Sequence, residues 1–452
     1  MSSPTPRERA RPALLQQVFN LRRGELAPVI IASLFFFFIL TALMLLRPAR
    51  DALGMQRGIE SIRWLFIGTA VATLLVNPVF GWLVSRFRRL HFISATYAFF
   101  ALSLIGFWAL LVLAPQAVGE RSGQVFYVWF SVFNLFVTMV FWALLADRFS
   151  SEQSKRLFAL IAVGGTLGAI FGPWLTSQLA EPLGTPSLLL VAAAFLGLGI
   201  VSAWLLVLIQ PDRERWRSSA TDTAPAAQVP QEHERIGGSP WAGIRAVFSS
   251  PYLMGIAGYV ILMTIMATFI YFTRLQMVAA AEADTDARAA LLGNIDMWTQ
   301  VAVLVLQLTL TGQIIKRFGL GFALALLPVA TAIGFIGLAA YGSFVVLILL
   351  EATNRAFQRG ITRPARETLY TVVSREDKYK AKAFIDTFVY RVGDVVGAQT
   401  EGLLGRLGLA LTGLASVVLP LALVWAVLGL WLGRQQQRKG SERKGAESTF
   451  PG

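Results

Sequence analysis

Several ionisable residues stand inside or beside long apolar runs. Arg47, Arg50 and Asp51 close the run Pro28–Leu46 in the string LLRPARDALG. Glu351, Asn354 and Arg355 interrupt FVVLILLEATNRAFQ, and Asp386, Tyr390, Arg391 and Asp394 punctuate the run over 383–404. Asp147, Glu152 and Lys155 follow the run over 124–146. An ionisable group at mid-membrane costs about 2.5–3.5 kcal/mol on insertion scales, so such groups are rare unless they pair, carry ions or hold a charged solute.

The spacings suggest what each cluster does. Arg47 and Arg50 lie one helical turn apart, with Asp51 four residues after Arg47. A guanidinium offers a planar fork that matches a phosphate or carboxylate. The cluster therefore reads either as an anion contact, with Asp51 steadying one arginine, or as a solvated helix end. Glu351 and Arg355 are spaced to pair along one helix face, as bundle glue or as a polar wall of a transport path. Asp386 and Asp394 are eight apart and share a face, with Arg391 within reach of Asp394. Asp394 is the deeper acid and is a candidate proton carrier, while Asp386 falls near the interface. Asn134, Phe141 and Trp142 offer a polar group and rings for a base or sugar. Aromatics make up 12% of the chain, however, so core or lipid contact is the default for the rings. The glycine string AVGGTLGAIFGP (Ala162–Pro173) lacks the Lys-Ser/Thr ending of a phosphate loop and predicts close helix packing.

What must position these residues is a membrane. The 452-residue chain is 55% hydrophobic and 15% charged, with mean hydropathy +0.61. It has no cysteine and two histidines, so disulfides, thiolate chemistry and His- or Cys-rich metal sites are excluded. No triad, metal cluster or nucleotide-hydrolysis motif is present, so neither enzyme activity nor a cofactor is expected. The net charge of +14 sits in loops between apolar runs and is assigned to the membrane surface rather than to nucleic acid. The first run follows a 27-residue polar start with no small-residue cleavage site, so a removed signal peptide is not expected.

A span needs about 20 mostly apolar residues. Twelve candidates lie near 28–46, 63–83, 92–114, 124–146, 157–179, 187–209, 252–273, 295–315, 320–340, 343–360, 383–404 and 411–433. The polar, Pro/Ala/Ser-rich stretch 211–250 reads as a flexible cytoplasmic linker. With the N-terminus inside, thirty lysines and arginines fall on the cytoplasmic side against eight outside, so both termini are expected in the cytoplasm. Half of the eight, Arg47, Arg50, Arg57 and Arg63, cluster after the first span. The halves repeat: Gly81–Phe87 (GWLVSRF) returns as Gly312–Phe318 (GQIIKRF). Parallel repeats of this kind put the main cavity at their interface, near mid-membrane. The string RPARE (Arg363–Glu367) echoes Arg47–Asp51 but reads as a short loop helix near the headgroups, with Pro364 at its start.

These stretches carry a resemblance. Gly81–Arg89 resembles the loop signature between spans 2 and 3 of the major facilitator superfamily, with Ser85 where that signature normally has an acid. RPARDALG, Phe141–Pro173 and Thr362–Ala398 resemble the ATP/ADP (NTP/NDP) translocases of bacteria and plastids. The string Lys380–Asp386 is the most specific match. Asp394 stands where that family's nucleotide exchangers tend to have a lysine. The resemblance implies an all-α membrane protein of twelve transmembrane helices, in two pseudo-symmetric six-helix bundles over 28–210 and 251–433. Tails over 1–27 and 434–452 would flank them. It implies a secondary transporter of the inner membrane that exchanges an anionic, phosphate-bearing metabolite, nucleotides first. It also implies a basic substrate contact near Arg47 or Arg50. Substrate contacts are expected among Arg47, Arg50, Asn134, Glu351, Asn354, Arg355, Tyr390 and Arg391. Coupling or gating is expected among Asp51, Asp147, Glu152, Lys155, Asp386 and Asp394. A monomer in the bilayer is expected. A proton-coupled carrier of another solute, such as an organic anion or drug, stays open as the alternative.

Overall fold

The computed structural model describes residues 22, 24–86, 89–114, 120–209, 242–310, 317–409 and 411–448, and side chains over 77–91 fall outside that description. The repeat string around Gly81 is therefore described only as helical backbone up to Arg86, while that around Gly312 up to residue 316, and most of 211–250, lie outside the described residues. All regular structure in the described residues is helical. The helices are α1 Leu26–Gly54, α2 Ile59–Arg86, α3 Arg89–Leu113, α4 Glu120–Arg148, α5 Ser151–Leu183 and α6 Ser187–Ile209. Then come α7 Ala242–Ser249, α8 Pro251–Ala281, α9 Thr285–Leu310 and α10 Leu320–Tyr341. The last are α11 Phe344–Phe357, α12 Arg363–Leu369, α13 Arg375–Phe384, α14 Tyr390–Arg406 and α15 Leu411–Ser448.

Ten helices among the described residues are long and apolar enough to cross a membrane. Two further stretches are continuous but interrupted. A π turn over Gln358–Thr362 joins α11 to α12, and another over Ile385–Val389 joins α13 to α14. The first has a local cause. Pro364 has no N–H and its ring crowds the carbonyl four residues back, which favours a widened turn there. RPARE is thus not a separate loop helix. It continues the stretch from Phe344, with Ala365 and Leu369 fully buried.

Helix ends differ from the sequence-predicted spans in a consequential way. The first span was expected to stop at Leu46, but α1 runs to Gly54 and carries Arg47, Arg50 and Asp51 within it. The seventh was expected to stop at residue 273, but α8 runs to Ala281 and takes in Arg274. Apolarity ends early in both because charges begin, and those charges have partners, so the helix does not have to end. Within the stretch expected to be linker, Ala242–Ser249 is helical and approaches α13, where a Cβ on Gly243 would lie 2.7 Å from the Lys380 carbonyl oxygen.

Close packing fixes the register of α1 on α5. Ideal Cβ atoms on Gly164, Gly168 and Gly172 would come within 2.1, 2.4 and 2.6 Å of the Ser33, Phe37 and Thr41 carbonyl oxygens. One turn on, the Thr176 hydroxyl donates to the Leu45 carbonyl at 2.8 Å. The offset is constant, so the two helices run parallel, with backbones in direct contact through the glycine string. Gly293 of α9 meets the other flank of α5, 2.7 Å from the Pro173 carbonyl oxygen on the same construction. Phe141 stacks on Phe36 at 4.2 Å inside this core, as the default reading of the aromatics expected.

Two apolar cores form. One gathers buried residues of α1 and α3–α6 and extends onto Phe272, Leu275 and Val278 of α8 and Ala289, Leu292 and Ile295 of α9. The other lies within residues 247–432. The extension marks the seam between halves. It lies at the end where α1, α5 and α8 finish, termed here the far end. Large apolar side chains such as Leu75, Leu102, Leu308 and Leu423 are exposed on the outer faces, as a lipid-facing surface requires.

Candidate functional site

The far-end seam holds a buried charge network. Arg274 of α8, with no exposed surface, donates to Asp51 of α1 at 2.8 Å and to Asp296 of α9 at 3.0 Å. Its Nε lies 3.6 Å from Glu351 of α11. Arg355 donates to Glu351 at 2.7 Å and to Asp296 at 3.1 Å. Arg50 donates to Asp51 through its Nε at 2.9 Å and lies over the Tyr127 ring, 4.5 Å from the centroid. Tyr271 donates to Asp51 at 2.8 Å and shares a hydrogen bond with Tyr127 at 2.9 Å. Arg47 stands apart. It lies 3.8 Å from Asp296, beyond hydrogen-bond range, and a quarter of its side chain is exposed.

Four guanidiniums therefore face three carboxylates, with one positive charge in excess. Burying such charges is tolerable only because nearly every one touches an opposite charge. Even so, Asp296 Oδ2, Arg274 Nε and Arg355 Nη1 have no hydrogen-bond partner among the described residues. The arrangement can bind an anion, since donors and a surplus cation converge on one place. It can also lock the seam, because Asp51–Arg274 and Arg47–Asp296 each join one half to the other.

A second cluster sits beside it. Arg63 of α2 donates to Glu401 of α14 at 2.9 and 3.0 Å, and Gln276 of α8 donates to the other Glu401 oxygen at 2.6 Å. Arg406 reaches Glu60 at 2.5 Å, and the Thr185 N–H donates to Asp286 at 2.6 Å. Hydrogen bonds between the halves gather at the far end.

The network brings together Arg47, Arg50, Asp51, Glu351 and Arg355 of the sequence-predicted residues, and leaves the others elsewhere. Asn354 is buried but donates to Thr331 of α10 at 3.2 Å. Asn134 is exposed on α4 and Tyr390 is half-buried on α14. Arg391 and Asp394 pair with each other at 3.4 Å. Asp386 forms an ion pair with Arg366 of α12 at 3.0 Å and so ties the two π-interrupted stretches together. At the opposite end from the seam, Asp147 is half-buried near the end of α4, Lys155 is exposed, and Glu152 pairs with Arg22 at 2.5 Å.

Sequence reasoning missed Arg274, Asp296 and Glu401. A signal existed. Asp296 and Glu401 are acids inside apolar runs with no cation three or four residues away, so each needs a cation from another helix.

The comparisons agree with this fold. The family model of the Major Facilitator Superfamily matches residues 26–357, and the chain belongs to that superfamily of membrane transporters. It is a multi-pass membrane protein. Among curated relatives, ADP,ATP carrier protein 1 of Chlamydia trachomatis serovar D is 24% identical, over 90% of this chain and 88% of that protein. ADP,ATP carrier protein 1 of Chlamydia pneumoniae is 23% identical over 91% of each. The solved structure of the nucleoside transporter NupG superposes with a TM-score of 0.60 at 13% identity, covering 91% of this chain and 99% of that one. A bacterial homologue of the human lysosomal transporter Spinster, inward-facing and unoccupied, gives 0.57 at 12% identity, over 93% and 99%. At those identities the structures speak for the fold alone.

Proposed function

We propose that this transporter exchanges anionic, phosphate-bearing metabolites, nucleotides foremost, by alternating access between two six-helix bundles. The carrying observation is the surplus cation of a buried network that straddles the seam. Opening the far end parts Asp51 from Arg274 and Arg47 from Asp296. The α1 side then keeps Arg47, Arg50 and Asp51, with net charge +1, and the other side keeps Arg274, Arg355, Asp296 and Glu351, with net charge zero. Unpaired buried charges cost about 3–5 kcal/mol when one partner is removed. A phosphate between Arg47 and Arg274 takes over the role of the departing carboxylates and offsets that cost. The empty carrier has no such substitute, which favours exchange over one-way passage. Similarity to the chlamydial ADP,ATP carrier proteins supports nucleotides as the class.

The reading includes twelve spans, with Phe344–Leu369 and Arg375–Arg406 crossing despite their π turns. It also includes a monomer in the inner membrane, with both termini in the cytoplasm and no role for nucleic acid. The chain lacks cysteine, so single cysteines report its topology. Ala283→Cys should react with an impermeant thiol reagent in intact cells and Glu376→Cys should not; the reverse pattern rejects the orientation.

The proton-coupled alternative rests on Asp394, whose partner is an arginine one turn away on its own helix. Proteoliposome transport tests both readings. Nucleotide counter-exchange without a pH gradient supports the first. Organic-anion uptake that an uncoupler abolishes supports the second.

A further inference from the structure

Arg355, Arg359 and Arg363 stand four apart along the stretch that begins with α11. Four residues of α-helix overshoot a full turn by about 40°, so a column at that spacing drifts round the helix. The π turn Gln358–Thr362 is wider and takes up that drift, which keeps the three arginines on one side. That is the side Arg355 turns to the seam network. It is neither the packed side, where Leu350, Asn354, Ile361 and Ala365 are buried, nor the outer side, where Val345 and Leu349 are exposed.

The three arginines differ in their partners. Arg355 holds Glu351 and Asp296. Arg359 and Arg363 are exposed and, among the described residues, have no ion pair or hydrogen bond. The acids nearby are taken: Asp386 pairs with Arg366, Glu367 with Lys382 and Asp394 with Arg391. Arg359 lies near the middle of the membrane-spanning stretch, where an unpaired cation is expensive unless it is used.

The facing wall matches. On α4, Tyr127, Ser131, Asn134 and Thr138 repeat at helical spacing and share one face of an apolar helix. Tyr127 fixes where that face points, since its hydroxyl meets that of Tyr271 across the seam. Both walls open in the same direction. Tyr127 is buried and Asn134, two turns on, is exposed; Arg355 is 13% exposed and Arg359, one turn on, is fully so classed. A polar cavity therefore opens below the network, away from the far end.

We propose that Arg359 and Arg363 hold the phosphate groups of the substrate while the far end is closed, opposite Ser131 and Asn134. The inference rests on the reading of this protein as an exchanger of phosphate-bearing anions and adds a second station to it. With the far end open, phosphate meets Arg47 and Arg274. Closure re-pairs Asp51 with Arg274 and moves the phosphate one to two turns down the column. There two guanidiniums without acids offer it forked, charge-assisted hydrogen bonds.

The test is the reaction of Ser131→Cys with a water-soluble maleimide in the purified full chain, which has no other cysteine. ATP and inorganic tripolyphosphate are the probes. Both should slow the reaction, and R359Q/R363Q should raise the protecting concentration of each by roughly tenfold or more. R359K/R363K keeps both charges without the fork and should fall between; it takes the place of the glutamine variant if that one fails to fold. Unchanged protecting concentrations in the folded variant, or no protection by either probe in the parent, overturns the inference. Nucleotide counter-exchange that persists without protection sinks this station and leaves the exchange reading standing. Protection by tripolyphosphate alone supports the station and rejects nucleotides as the substrate class.

Discussion

Asp51 of α1 and Arg274 of α8 meet at 2.8 Å across the seam, and neither side chain has any exposed surface. The pair is 223 residues apart in the chain and joins two halves that must separate if the far end is to open. It is therefore a structural bond across the seam and, on the proposed alternating-access cycle, a latch.

The latch predicts a shift in conformation. Ala289 of α9 is fully buried in the core that spans the seam, and cysteine there is a small change. Asp51→Asn in an Ala289→Cys background should speed reaction with an impermeant thiol reagent. The gain should be on the order of tenfold if the pair holds the closed state by ~1.4 kcal/mol. An unchanged rate would show that the pair does not hold the far end shut.

Arg47 and Arg50 should separate in their effects. Arg50 is engaged by Asp51 and the Tyr127 ring, so Arg50→Ala should lower melting temperature as well as affinity. Arg47 has one long contact, so Arg47→Ala should weaken substrate binding by about 1.5–3 kcal/mol, a charge-assisted hydrogen bond, with little loss of stability. Isothermal titration beside a melting curve distinguishes them. Normal nucleotide affinity in well-folded Arg47→Ala removes Arg47 from the binding site.

Glu351 and Arg355 pair as their spacing predicts, but both also belong to the larger network. Neutralising Glu351 alone leaves Arg355 with Asp296, whereas neutralising Arg355 alone leaves Glu351 with Arg274 at 3.6 Å. Glu351→Gln/Arg355→Gln should therefore cost less melting stability than the sum of the single variants. Strict additivity would mean that the two side chains act independently.

Local pairings were legible in the sequence and distant ones were not. The glycine string announced close packing because its small-residue spacing matches a helical face. The Glu351–Arg355 pair followed from i,i+4 geometry. Arg274 was read as a loop residue because apolarity was taken to end the span, and inside a protein a charge with partners need not end a helix. Asp296 gave a signal as a lone acid in an apolar run, but its partners come from α1, α8 and α11, and helix spacing cannot name them. The RPARE string was kept apart from Arg47–Asp51 despite its similar letters, but its charges were taken to mark a loop, and the π turn that carries the helix on into Arg363–Glu367 leaves no mark in the pattern of apolarity.

The central claim is that an anionic substrate replaces seam carboxylates during transport, and efflux tests it most directly. Proteoliposomes holding the purified protein are loaded with labelled ADP, and release is followed with and without external ATP, with no pH gradient. Release should depend on the external nucleotide, and Arg47→Ala and Arg274→Ala should each abolish that dependence. Equal release into nucleotide-free buffer, or full counter-exchange by both variants, would contradict it.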